Sequence, residues 1–302
     1  MTAVVAEAAV AAKPSLRHRL AERGIDRVLL LLVPGVVFAV ALFLYPFLYG
    51  LQLSFTPKKG GPFSNYAEFF RDPYLRNTMW TTLWIALPAT LINVLASIPI
   101  AYVMRGKMRG KRTLTTILVV PITLGTVLTA QGLITYTGPA GWLNKVLSSL
   151  GISDEPLPLI HNYTGVLLSL VITGFPFAFL LTLSYLSGID PTLERAAATL
   201  GASWGQRFRK ITMPLLAPGL AITFCLSFVM AFSVFPSANL VGDPSGTTRV
   251  ISIAAYHAAF EEYNFSMGST IAMIMAVIML LVIGLVLIWR TTLYRGATGG
   301  KG

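Results

Sequence analysis

LERAAATLGASWGQRFRKITMPL, residues 193–215, decides how the rest of the chain is read. Asp190-Pro191, just before it, is a helix-start signal with proline in the first turn. Glu194 follows near the positive end of the helix dipole, and Arg195 to Leu200 favour helix. Gly201 breaks the run, and a second, basic helix is expected over Trp204–Lys210. Pro214 restricts the residue before it and lacks an amide donor, so it is expected to end this stretch and start the next apolar segment. The expectation is a helix–glycine–helix knob, compact enough to be gripped by another protein.

The surroundings of the knob are apolar. Of the 302 residues, 55% are hydrophobic and 12% charged, whereas a soluble domain carries about 25% charged residues. Six segments, near 28–50, 79–103, 114–135, 163–187, 216–237 and 267–289, reach the roughly 20 residues that span a bilayer. The fold class is therefore all-α: a polytopic membrane protein with six transmembrane helices. Of the 23 Lys and Arg residues, 17 fall in residues 1–27, 105–112, 190–215 and the tail. The positive-inside rule then places both termini and the knob in the cytoplasm, N-in and C-in. The net charge of +11 is a topology signal, and no nucleic acid is expected as a partner. The apolar run from Val28 exceeds the roughly 7–15-residue core of a signal peptide. Cys225 is the single cysteine and forms no intramolecular disulfide.

Polar and helix-breaking residues inside the spans mark a candidate solute pathway. Asn93 and Gln131 stand in apolar runs, where an amide serves equally as interhelical glue or as pathway lining. Pro121 and Gly125 imply a kink or a close helix approach. Gly174-Phe175-Pro176-Phe177 is a second kink signal, and its aromatics fit core packing and pathway lining alike. Pro236 to Asn239 is expected to unwind the fifth segment toward its outer end. Short helices are expected in the outer loops, over GPAGWLNKVLSSLGI and Ile251–Glu262. Glu261 and Glu262 form an acidic pair that is ordinarily solvated. His161 has no second His or Cys nearby and reads as an interface residue, not a metal ligand.

No phosphate-binding G-x-x-x-x-G-K-[ST] run, H-E-x-x-H or G-x-S-x-G occurs. The spans hold no acid pair that would relay protons. No metal or cofactor is expected on this chain, and no catalysis. Energy for transport must come from elsewhere, and the knob is the candidate receiver.

The knob resembles the E-A-A loop of type I ABC importer permeases. Ala196 and Ala197 stand for the two alanines, and Gly201, Ile211 and Pro214 follow at the family's spacings, with Met213 in place of leucine. Arg195 stands where the family usually has glutamate, and Glu194 sits one residue earlier, from which it offers the acidic coupling contact. The stretches YPFLYGLQLSF and Asn65–Thr78 also resemble these permeases, as does residues 28–290 as a whole.

The resemblance implies a multi-pass protein of the bacterial inner membrane, with a cytoplasmic extension (1–27), a permease domain (28–290, with its coupling loop at 190–215) and a cytoplasmic tail (291–302). It implies four partners: an ABC ATPase dimer holding ATP and Mg, a second permease subunit (a heteromer is favoured), an extracytoplasmic substrate-binding protein, and membrane lipid. Glu194, Arg195, Ala196, Ala197, Gly201, Ile211 and Pro214 are the expected ATPase-coupling residues. Asn93, Gln131, Phe175, Phe177 and Asn239 are the expected substrate pathway. The outer-loop wording is nearest the spermidine/putrescine branch, so a polyamine-like cargo is favoured, with a sugar or other small polar solute as alternative. The competing class is an ATP-independent carrier or channel; a membrane-embedded enzyme would need an intramembrane His/Asp/Glu cluster that the sequence lacks.

Overall fold

The computed structural model describes residues 27–106, 108–153 and 155–294. Expectations about residues 1–26, Lys107, Asp154 and 295–302 lie outside them. The chain falls into two units, divided between Gln52 and Leu53. The first holds α1 (Arg27–Ala39), a π-helical turn (Val40–Leu44) and most of α2 (Tyr45–Ser54).

The second unit carries α3 (Ser64–Arg71), α4 (Pro73–Met104), α5 (Lys111–Thr137), α6 (Trp142–Ser149) and α7 (Tyr163–Ser187). It continues with α8 (Pro191–Thr199), α9 (Trp204–Arg207), α10 (Met213–Phe232), α11 (Pro236–Val241), α12 (Ile251–Tyr256) and α13 (Phe265–Tyr294). Among the described residues, six helical stretches are long and apolar enough to cross a membrane, as expected. The fourth coincides with the expected segment, and the second starts earlier, at Pro73. There the Asp72 carboxylate caps the helix by accepting from the Tyr74 amide at 2.8 Å, and proline at the first position costs no hydrogen bond.

α4 and α7 are the central pair. Small residues let them approach: Ala86, Ala89, Ala101 and Ala178 are fully buried. Gly174 is a true close approach, since a Cβ there would stand 2.5 Å from Asn93 Nδ2. Lipid offers no hydrophobic drive for helix pairing, so packing and interhelical hydrogen bonds carry the association. Ser97 and Thr182 hydroxyls meet at 2.8 Å, and Ser169 donates to Ser237 at 3.0 Å. Asn65 Nδ2 donates to Ser266 at 2.8 Å, and the Ile251 amide at the start of α12 donates to Thr82 Oγ1 at 2.8 Å. One apolar core gathers around Phe69, Ile85, Phe228, Phe232, Ile251 and Ile271. A second, around Met104, Phe179, Leu186 and Leu216, lies toward the knob.

One expected break is present and one is displaced. α5 is interrupted at Gly125, whose φ of 71° and ψ of 176° lie in a region open essentially only to glycine. The unwinding expected at Pro236–Asn239 falls three residues earlier: α10 stops at Phe232, Ser233–Phe235 form the break, and Pro236, with no amide to lose, starts α11. The expected outer-loop helices are also found, as α6 and α12. Asn144 of α6 is buried and ties its loop together, donating to the Gly138 carbonyl at 2.9 Å and accepting from the Leu157 amide at 2.9 Å.

The role expected of Pro214 is also corrected. Pro214 does not separate the knob from the span: helix runs unbroken from Trp204 to Phe232. A π-helical turn, Phe208–Thr212, directly precedes α10. Pro214 sits in the first turn of α10, just after this wider turn, where a missing amide donor interrupts little.

Candidate functional site

The knob is built by local chemistry. Asp190 caps α8 by accepting from the Thr192 amide at 2.8 Å, and hydrogen bonding from the Thr192 side chain, together with that amide, holds its carboxyl below the ordinary carboxylate range. α8 ends in a Schellman motif: the Gly201 amide donates to Ala198 and the Ala202 amide to Ala197, both at 3.0 Å. This closure needs the left-handed backbone that Gly201 supplies at φ 82°. Ser203 and Gln206 then form a capping box that starts α9.

Glu194 points inward. It is 7% exposed and the only buried residue of α8. Its Oε2 accepts from Arg105 Nη2 at 2.5 Å and from the Tyr102 hydroxyl at 3.2 Å, and its Oε1 accepts from Thr212. Arg105 also stacks 4.2 Å from the Tyr102 ring centroid. Burial pushes the Glu194 carboxyl up, but the bonds from Arg105 and Thr212 and the guanidinium charge outweigh it and hold the group below its ordinary value. Tyr102 extends the joint, with Trp204 at 5.8 Å and Phe208 at 5.1 Å between ring centroids. Both halves of the knob are thereby tied to the end of α4.

The remaining expected coupling residues face differently. Arg195, Ala196, Gly201 and Pro214 are exposed, and Ala197 and Ile211 half-buried. Leu200 is 88% exposed at the tip. Ala197, Gly201, Arg207 and Ile211 line a shallow hollow beside it. The reading of Glu194 as the outward acidic contact meets a different arrangement: its carboxylate is occupied within this chain by Arg105, a residue that the sequence reading used only as a topology charge.

A second arrangement lies within the spans. A cavity of about 340 Å³ opens among α4, α5, α7 and α10, and both helix breaks border it, at Gly125 and at Ser233–Phe235. Non-helical backbone at membrane depth is tolerated where it is buried in protein or lines such a cavity. Asn93 and Phe177 are in its wall; Gln131, Phe175 and Asn239 are not. Gln131 and Asn239 are exposed elsewhere, and Phe175 stacks on Phe179 at 6.2 Å. Asn93 donates to the Leu170 carbonyl at 3.2 Å, while its Oδ1 has no partner. Ser227, missed by the sequence reading, lines the same wall with its buried hydroxyl unpartnered. Its signal was a lone hydroxyl in the run FCLSFVMAF.

Elsewhere, Glu261 pairs with His257 at 2.5 Å, both half-exposed. Glu262 lines a small pocket with Glu68, Asp72 and Arg249. Among the described residues no group of His, Cys, Asp or Glu is arranged to hold a metal ion.

The model of the family described as "Binding-protein-dependent transport system inner membrane component" matches residues 94–295. A probable sulfate transport system permease protein, cysT of Prototheca wickerhamii, is 30% identical over 71% of this chain and 83% of its own. The spermidine/putrescine transport system permease protein PotB of Haemophilus influenzae is 28% identical over 82% of this chain and 90% of its own. Among solved structures, a bacterial ABC transporter involved in the import of the acidic polysaccharide alginate shares the fold. Its TM-score is 0.74 at 20% identity, over 93% of this chain and 98% of that one.

Proposed function

This chain belongs to the binding-protein-dependent transport system inner membrane components; it is a permease subunit of an ABC importer, not its enzyme, and from that premise we propose how it is driven. The knob of α8, Gly201 and α9 enters a cleft of a separate ATPase, which holds the ATP and Mg. When two ATPase subunits close on ATP, they draw the knobs of two permease subunits together. The spans then turn from inward-facing to outward-facing, and a binding protein docked outside releases its solute. Both termini and the knob lie on the cytoplasmic side, and the second permease is a different chain.

One observation carries this reading: the knob is fastened to a span. Arg105, at the end of α4, binds Glu194 on α8, and Tyr102 packs against α9. A partner that displaces α8 therefore displaces α4. The ATPase meets the exposed Arg195, Leu200 and the hollow beside Gly201, while Glu194 holds the knob in place. This reassigns the acidic coupling residue to a positioning role.

Gly201→Asp tests it. A Cβ at Gly201 meets nothing within 4 Å, and although the left-handed backbone strains any side chain there, aspartate is among the residues that tolerate it best; the strain stays within the knob, so the variant reaches the membrane, while the added carboxylate obstructs the hollow. Solute uptake is expected to fall to background, and co-purification of an ATPase with tagged chain to weaken. Normal uptake by the variant, or transport by this chain alone in liposomes, would refute the reading in favour of an ATP-independent carrier.

A further inference from the structure

The cavity between α4, α5, α7 and α10 has features that close packing does not account for. Its volume, about 340 Å³, suits a small solute. Two side chains in its wall, Asn93 and Ser227, are 2% and 4% exposed, and each keeps a buried oxygen without a partner. Such atoms are costly in a protein interior unless something completes them. A lone structural amide would use both of its ends; Asn93 uses only Nδ2, bound to Leu170. Two helix breaks, at Gly125 and Ser233–Phe235, open onto the same space.

The rest of the wall is neutral. Thr126, Thr173 and Ser233 add hydroxyls, and Phe177, Phe235 and Met230 add apolar faces. None of its residues is ionisable. A polyammonium or an oxyanion entering would shed water without meeting an opposite charge. A neutral molecule bearing hydroxyls would donate to Asn93 Oδ1, exchange a hydrogen bond with Ser227 and lay its C–H face on the aromatics.

We propose that this cavity is a solute station and that the cargo is neutral and hydroxyl-rich, a polyol or small sugar. The proposal rests on the importer reading and departs from the polyamine expected from the outer-loop wording.

The test uses the full chain in its own membranes with its partners retained. Cys225→Ala removes the single cysteine, and Met230→Cys places a thiol on the cavity wall. Labelling by a small maleimide is then followed with glycerol, sorbitol, glucose, trehalose, spermidine or sulfate present. At least one of the four polyols and sugars is expected to slow labelling fivefold or more, with no effect of spermidine or sulfate. Adding Asn93→Leu should leave unprotected labelling unchanged and raise the protecting concentration at least tenfold. Protection by spermidine or sulfate overturns the cargo class. Absence of protection by all six, or protection indifferent to Asn93→Leu, overturns the station. Probing the same membranes for a co-purifying ATPase separates the outcomes: protection without an ATPase would sink the importer reading and leave the station standing.

Discussion

Two buried polar clusters lean on the same helix, and they are finished differently. At one end of α4, Glu194 accepts from Arg105, Tyr102 and Thr212, so both carboxylate oxygens are occupied. Within the span, Asn93 keeps one end free and Ser227 keeps its hydroxyl free. A completed network holds its members in one geometry and resists change. An incomplete one stores a demand for a partner. The first suits a joint that transmits force, and the second suits a place that exchanges occupants.

The sharpest way to break this contrast is to remove the joint. Glu194→Ala strands the half-buried guanidinium of Arg105, and breaking such a pair costs about 3–5 kcal/mol. Uptake should be lost and the detergent-solubilised complex should melt earlier, while ATP hydrolysis by the bound ATPase continues. Exchanging the pair, Glu194→Arg with Arg105→Glu, should recover part of the melting temperature; no recovery would mean that the cation is not the partner that matters.

A smaller effect is expected at the rim of the cavity. Gly125→Ala keeps free space around the new methyl group but forces alanine into backbone territory that costs about 1–3 kcal/mol. Uptake should slow, with knob cross-linking to the ATPase unchanged. Asn93→Leu sharpens the contrast from the other side. It deletes an unpaired acceptor along with one hydrogen bond, so thermal stability should move by less than about 1 kcal/mol while uptake falls at least tenfold. A loss of stability as large as that of Glu194→Ala would make the two clusters the same kind of object. Acidity should have the least effect. The folded Glu194 carboxyl lies below its reference value of 4.5, so its contribution is fully present above that pH. It is lost only as the pH falls through the lower folded value. Melting temperatures at pH 8 and pH 6 should not differ on account of this residue.

The spans were legible because nothing but a membrane helix reconciles such long apolar runs with so few charges. The knob was legible because proline and glycine act locally: Asp190-Pro191 starts α8 and Gly201 ends it with no distant help. The direction of Glu194 was not legible. Neighbours on a helix point to different sides, and which of Glu194 and Arg195 turns inward depends on an arginine 89 positions earlier. The continuity through Pro214 was hidden for another reason: a proline's cost depends on the turn before it, and the π-helical turn at Phe208–Thr212 has no sequence signature of its own. The pathway shows how little a polar residue in an apolar run says alone. Asn93 and Gln131 carried the same signal, yet only Asn93 lines the cavity, because facing is set by packing partners on other helices.

The bond between Arg105 and Glu194 also bears on what can be exchanged between related permeases. A graft of residues 190–215 moves the carboxylate and leaves its cation behind. The smallest transplantable module is therefore discontinuous, joining the knob to Tyr102 and Arg105. For the same reason, drift at position 105 or 194 is expected to be compensated at the other, so that the two positions descend as a single inherited character.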